Sequence, residues 1–118
     1  MQYMQDGEFY KIARITGPRH NMLALALDTG NSDSNILVEA INAGSSSEVR
    51  LRPEDVVQKV IEGIREANEQ FGTNYSVRRV QYIPSDTPPV EIYKFLVIKI
   101  IERLVNSPDF AGADHSSP

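Results

Sequence analysis

The sequence predicts an α+β fold, a two-layer sandwich in which two helices cover one face of a four-stranded, mostly antiparallel sheet. Two long stretches repeat apolar residues at helical spacing, and four shorter stretches have the alternation or composition of strands. Their order along the chain, β-β-β-α-β-α, is typical of a sheet with its helices on one side. A length of 118 residues fits one domain. We assign residues 1–106 to this domain and expect residues 107–118 to form a disordered tail.

Three of the predicted strands precede the first helix. Residues 1–7 are polar and are expected to be loose, and the first strand follows at Phe9–Thr16. Met22–Asp28 alternates leucine with alanine, which indicates a strand with large side chains on one face and small ones on the other. These two strands are expected to pair as a hairpin across the Gly17–Asn21 turn. The other two predicted strands are Ile36–Asn42 and Ser76–Ile83.

The first predicted helix, Pro53–Phe71, has a single apolar face. Pro53 suits the first helical position, and Gly72 suits the C-terminal cap. Gly63 lies inside the helix, where it lowers stability by about 1 kcal/mol relative to alanine. We interpret this glycine as a point of close packing against a neighbouring element.

The second predicted helix is the most apolar stretch of the chain and runs from Pro88 to Val105, with Thr87 as its N-cap. Phe95, Ile98 and Val105 fall on or beside its charged side. A helix that is hydrophobic most of the way round is normally buried on more than one side. We therefore expect these three residues to form an interface, most simply between two copies of the chain. Candidates to cover them within one chain are Tyr3, Met4 and Phe110.

The amino-acid composition limits the cellular compartments and the classes of binding partner that are expected for this protein. The net charge of −4 argues against general affinity for nucleic acid or an anionic membrane. The chain has no cysteine, which excludes disulfides and thiolate zinc sites and fits a reducing compartment. Its first residues lack the pattern of a signal peptide, and no apolar run approaches the roughly 20 residues of a membrane span. These features predict a cytoplasmic protein with no membrane partner.

Two local patterns resemble a known family. The segment Val60–Ala67 is similar to the first helix of domain IV of the elongation factor G family of translational GTPases, and Ile41–Gly44 is similar to the turn ahead of that helix. The resemblance extends from Gly17 to Leu104 and implies the ribosomal protein S5 domain 2-like fold, in which the β-α-β crossover around the first helix is left-handed, against the general rule.

The departures from this family concern its function. The family carries a histidine in the loop before the last helix, whereas the corresponding loop here, Pro84–Pro89, has none. These 118 residues also contain no segment that resembles the family's GTPase domain. The resemblance therefore implies a fold and does not carry over the role in translation.

One group of residues could support chemistry. Arg19 and His20 lie in the predicted hairpin turn, where they could bind an anion or act as a general base, with Glu39 as a further candidate. A solvated turn explains the same residues. The carboxylates have no spacing typical of a metal site, and a single usable histidine is poor material for zinc, so we predict no metal and no cofactor.

A second group could bind RNA. Arg78 and Arg79, beside Tyr82, combine cations with an aromatic ring as single-stranded nucleic-acid sites do. Adjacent residues of a strand point to opposite faces, however, so only one of the two arginines is expected to line the open face of the sheet.

These observations favour a non-catalytic binding or assembly module, a homodimer formed through the last helix at Phe95, Ile98 and Val105. The first alternative is a small enzyme with a site near Arg19, His20 and Glu39 in a cleft between subunits. The second alternative is a ribosome- or RNA-associated factor. No sequence feature identifies a substrate or a small-molecule ligand.

Overall fold

The computed structural model describes residues 1–16, 19–30, 36–41, 51–84, 86, 89–107 and 109–113. In this described part of the chain, six strands and two helices follow one another. They are β1 (Gln2–Asp6), β2 (Phe9–Thr16), β3 (Arg19–Thr29), β4 (Leu37–Ala40), α1 (Pro53–Phe71), β5 (Tyr75–Tyr82), α2 (Ile92–Asn106) and β6 (Gly112–Ala113).

The strands form one mixed sheet in the order β4-β5-β3-β2-β1-β6. Neighbouring strands are antiparallel except for β4 and β5, which are parallel and are connected through α1. The predicted α+β class and the two helices are confirmed. The predicted number of four strands is wrong, because β1 and the two-residue β6 extend the sheet beyond β2.

The additional strand β1 forms a hairpin with β2. Gly7 has a φ of 59° and begins the two-residue turn Gly7-Glu8, and glycine is favoured at the first position of such turns. Only Tyr3 of β1 is buried, and its other residues are exposed. This strand is therefore too polar to show the apolar alternation by which strands are predicted from sequence.

Both helices pack on one face of the sheet around a single hydrophobic core. The sheet contributes Tyr3, Ile12, Leu23, Leu25, Val77, Val80 and Tyr82, and the helices contribute Val56, Val60, Ile64, Ala67, Tyr93, Leu96, Val97, Ile100 and Ile101. The predicted close packing at Gly63 is confirmed. A Cβ atom at this position would lie 2.8 Å from the Cβ of Val97 and 2.9 Å from the carbonyl oxygen of Lys94.

Strand β5 contains a β-bulge that changes which side chains face the core. Ala26 pairs with Arg79, whereas Leu27 pairs with Val77, so Arg78 is the additional residue. Because the bulge shifts the alternation by one residue, Val77 and Val80 are both buried in the core. The prediction that Arg78 and Arg79 point to opposite faces is wrong, since both side chains reach the carboxylate of Glu8.

The helix boundaries agree with the sequence for α1 and differ for α2. Helix α1 spans Pro53–Phe71 as predicted, and Gly72 caps it with a φ of 66°. Helix α2 begins at Ile92, preceded by a turn in which the Ile92 N–H donates to the Pro89 carbonyl at 3.3 Å. The predicted N-cap Thr87 and first residue Pro88 lie outside the described residues. No helix in the described part of the chain is long and apolar enough to cross a membrane.

The segment after α2 packs against the sheet. Phe110 is 6% exposed and belongs to the core, and Gly112 and Ala113 pair with β1. This placement of residues 109–113 differs from the predicted disordered tail. Its physical basis is the burial of the Phe110 side chain, the one large apolar side chain of the segment. Residues 114–118 lie outside the described residues.

Candidate functional site

The outer face of α2 presents apolar side chains to solvent. Phe95 is 42% exposed and Val105 is 45% exposed, whereas Ile98, between them on the same side of the helix, is half-buried against the core. Tyr3 and Phe110, two of the residues considered as cover for this face, are instead buried in the core against each other. The structure therefore leaves Phe95 and Val105 accessible in the single chain.

Charged residues of both signs surround this face. The Nζ atom of Lys59 lies 2.7 Å from the Glu91 carboxylate, which raises the pKa of Lys59 and lowers that of Glu91 through their hydrogen bond. Lys99 lies 3.2 Å from Glu102, and its ammonium group is 5.5 Å from the centre of the Phe95 ring. Lys94 pairs with a carboxylate of α1, that of Glu66, at 2.9 Å.

The opposite face of the sheet carries an ion-pair network above a small apolar cluster. Phe9, Ala24 and Ala26 are buried on this face, and the guanidinium of Arg79 lies 4.9 Å from the centre of the Phe9 ring. Arg79 donates hydrogen bonds to Glu8 at 2.9 Å and to Glu39 at 3.0 Å. These hydrogen bonds lower the pKa of both carboxyl groups and raise that of Arg79.

The residues of the predicted RNA site are separated by this arrangement. Tyr82 is 2% exposed and belongs to the core on the helix-facing side of the sheet. Arg78 lies on the open face with Arg79, where it pairs with Glu8 at 3.3 Å and with Asp28 at 3.4 Å. Both arginines are thus engaged by carboxylates, and the tyrosine expected to stack a base lies on the other side of the sheet.

The residues of the predicted enzyme site are not brought together within one chain. Glu39 pairs with Gln81, which pairs with Ala24, and Ala24 follows His20 by four residues in β3. Strand spacing then puts the Cα atoms of His20 and Glu39 about 16 Å apart. The Glu39 carboxylate is bound by Arg79. The side chains of Arg19 and His20 lie outside the described residues.

A buried carboxylate links β3 to the start of α2. Asp86 is 1% exposed, and its Oδ2 atom accepts hydrogen bonds from the Met22 N–H at 2.8 Å and from the Tyr93 hydroxyl at 3.0 Å. Pairing between β3 and β5 ends at Leu23 and Tyr82, so Asp86 provides the acceptor that β5 no longer supplies to Met22. Burial and the Asp86 charge raise the pKa of Tyr93.

Asp86 is one of the carboxylates whose spacing does not indicate a metal site, and its structural role was not predicted. The signal that could have indicated it is an aspartate in a Pro-rich loop just before an apolar helix, because aspartate commonly binds backbone N–H groups in turns. Among the residues that the structure describes, no group of three or more histidine, aspartate or glutamate side chains is placed to hold a metal ion.

Comparison with known proteins assigns the chain to no family. No protein-family model, no curated protein and no solved structure matches the chain.

Proposed function

We propose that this chain is a small, non-catalytic assembly module that forms a homodimer through the outer face of α2. The observation that carries the proposal is the exposure of Phe95 and Val105 on a helix whose core-facing side is buried. Contiguous apolar surface on a small protein commonly marks an interface. Ile98, half-buried on the same side of the helix, adds to the apolar area of this face.

The charges around this face favour a second copy of the same chain as the partner. Glu91 and Glu102 are balanced by Lys94 and Lys99, and each of the four has an ion-pair partner within its own chain. The face is therefore neutral, although the whole chain carries a charge of −4. Two neutral faces can meet without the repulsion that an acidic surface would produce.

The expected dimer is weak. A 15-residue helix is about 22 Å long, so a contact made by this helix alone buries less area than a standard stable interface. We expect a dissociation constant in the micromolar range, on the order of 1 to 100 μM. Such a module would assemble in response to its own concentration or to attachment to a larger partner.

The fold proposed for this module is the one that the family resemblance implies, and the proposed compartment is inferred from the composition. The order of elements from β2 to α2 supports an S5 domain 2-like arrangement, and the absence of cysteine supports a cytoplasmic setting.

Analytical ultracentrifugation across a concentration series tests the dimer. We expect the mass to rise from 13.2 kDa towards twice this value. Phe95→Glu should keep the chain monomeric, because it places a charge in the apolar contact. Leu37→Glu is the matched control, since Leu37 is 60% exposed on β4, away from α2, and the substitution makes the same change of charge. A wild-type chain that stays monomeric at about 1 mM contradicts the proposal.

A further inference from the structure

The outer edge of β1 forms a groove that holds an extended segment of the chain. We define this β1 edge groove by Tyr3, Tyr10 and Arg103, and its occupant is the segment 109–113, which follows α2 after two residues. Phe110 of this segment is buried, while Asp109, Ala111 and Gly112 are exposed. The segment is therefore attached to the domain by the Phe110 side chain and by its backbone.

The aromatic anchor fits between two rings. The Phe110 ring centre lies 5.5 Å from that of Tyr3 with an interplanar angle of 85°, and 4.9 Å from that of Tyr10 at 67°. Edge-to-face contacts of this kind are favourable geometries for aromatic pairs. The guanidinium of Arg103 covers the Tyr3 ring at 4.7 Å and completes one wall of the groove.

The backbone of the segment is bound by polar contacts that do not depend on its side chains. Arg103 donates from Nε to the Phe110 carbonyl at 2.9 Å and from Nη2 to the Ala111 carbonyl at 3.3 Å. Gly112 and Ala113 then pair with Tyr3 and Gln2 as an antiparallel strand.

Gly112 gives the groove a second element of selectivity. Its φ is 142°, a conformation that other residues rarely adopt, and an added Cβ would lie 2.7 Å from Nη2 of Arg103. A side chain at this position would therefore interfere both with the backbone conformation and with the arginine that binds the two carbonyl groups.

We propose that the β1 edge groove is a peptide-binding site for an extended partner segment with a phenylalanine followed two positions later by a glycine. The chain's own segment 109–113 occupies the groove as an intramolecular competitor. The determinants of binding, namely Phe110, the carbonyl groups of residues 110 and 111 and Gly112, lie within three consecutive residues and require no covalent link to α2. Addition of a strand at a sheet edge, with a pocket for one side chain, is an established mode of peptide recognition.

Because the chain's own segment occupies the groove, a partner peptide must compete with it for binding. A tethered segment acts at an effective concentration of about 1 mM, so a free peptide must outcompete it. A partner gains access when its affinity is higher or when the chain's own segment is released. This role is independent of the outer face of α2, because none of the groove residues belongs to that face.

The proposal is tested with a dye-labelled synthetic peptide of residues 107–118 and fluorescence anisotropy. The receptor is the full chain carrying Gly112→Val, which weakens the chain's own segment without removing a core side chain. We expect saturable binding, at least about tenfold tighter than to the wild-type chain because the competitor is weakened. Control peptides carrying Phe110→Ala or Gly112→Val should not bind. The full chain with Phe110→Ala is a second receptor, which should bind the wild-type peptide in the same way.

Two results would overturn the inference. The first is a folded Gly112→Val chain, verified by circular dichroism, that binds the wild-type peptide no more tightly than it binds the Phe110→Ala peptide. The second is a wild-type dimer that dissociates with Gly112→Val but persists with Phe95→Glu, because the occupant would then be the segment of a second copy and not a separate partner.

Discussion

The guanidinium of Arg79 lies over the Phe9 side chain with its central carbon 4.9 Å from the ring centre, and it binds Glu8 and Glu39 at the same time. Three elements meet at this arginine: the β1–β2 turn, β4 and β5. Arg79 therefore connects the short strand β4 to β5 through Glu39, and it covers the apolar cluster that contains Phe9 and Ala26.

Replacement of Arg79 should reduce the loss of thermal stability that the protein shows as the pH falls into the acidic range. Arg79 lowers the pKa of Glu8 and Glu39 below the ordinary value of 4.5, so the network stabilises the fold above that pH and the contribution is lost as the pH falls through the lowered values. Arg79→Gln should lower the unfolding temperature at pH 7, and its difference from wild type should shrink below about pH 4.

Thermal unfolding followed by circular dichroism from pH 3 to about pH 7 measures this difference. Added salt should reduce it at neutral pH, since the three side chains are partly exposed. Arg65→Gln, at an exposed position of α1, is the control for loss of a positive charge. A difference from wild type that is constant across the pH series would show that Arg79 acts through packing on Phe9 alone.

The contact between Gly63 and Val97 predicts that a normally favourable substitution will destabilise the protein. Alanine improves helix propensity by about 1 kcal/mol over glycine, whereas a methyl group forced into a packed interface destabilises by about 1–3 kcal/mol. Because the added Cβ would meet a backbone carbonyl as well as Val97, Gly63→Ala should lower the free energy of unfolding by about 1–2 kcal/mol.

Urea denaturation of Gly63→Ala gives this value directly. Arg65→Ala is the control on the exposed side of the same helix and should change stability by no more than about 0.5 kcal/mol. A stabilised Gly63→Ala chain would mean that α1 and α2 separate easily enough to accept the methyl group.

The parts of the fold that could be predicted from sequence are those with an apolar period. Helix α1 has one clear apolar face and glycine at its end, and its predicted bounds are the observed ones. Strand β1 has one buried residue in five and could not be found by alternation, although Gly7, which begins the Gly7-Glu8 turn, is a residue typical of hairpin turns. Phe110 was recognised as an apolar residue in the tail, but its partner Arg103 is a charged residue on another element.

The side-chain arrangement on the open face was not predictable because it depends on one bulge. Strict alternation puts Arg78 and Arg79 on opposite faces, and the additional residue in β5 brings both to Glu8. A bulge leaves no fixed pattern in a single sequence, since its position is decided by which register buries the most apolar surface. Here the register that buries both Val77 and Val80 is the observed one.

Asn68 is predicted to be more important for stability than its place near the end of α1 suggests. Its Nδ2 group donates to the Tyr75 carbonyl at 2.8 Å, and its Oδ1 atom accepts from the Tyr75 N–H at 3.0 Å and from the Thr73 hydroxyl at 2.8 Å. Asn68→Asp keeps the acceptor but loses the donor and directs a carboxylate at a carbonyl oxygen. We expect a loss of about 1–3 kcal/mol at neutral pH.

Denaturant unfolding at two pH values checks the origin of this loss. Protonation of the aspartate restores a donor, so the difference between Asn68→Asp and wild type should become smaller at acidic pH. Asn68→Ala is the comparison that lacks both groups, and its deficit should not shrink in the same way. Equal pH dependence of the two variants would contradict a specific role for the Nδ2 donor.

The buried pair Asp86 and Tyr93 should show strong energetic coupling. Tyr93→Phe removes one donor from the Asp86 carboxylate and leaves the ring in the core, so it should cost about 1–2 kcal/mol. Asp86→Ala removes the acceptor of the Met22 N–H and of the Tyr93 hydroxyl in a buried environment and should cost about 2–4 kcal/mol. A double-mutant cycle should give a coupling of about 0.5–3 kcal/mol, because the double variant has no hydroxyl group on the ring at position 93 to leave unpaired. If the two losses simply add, the 3.0 Å contact between Tyr93 and Asp86 contributes no stability, and Asp86 acts through its other contacts, among them that with the β3 backbone.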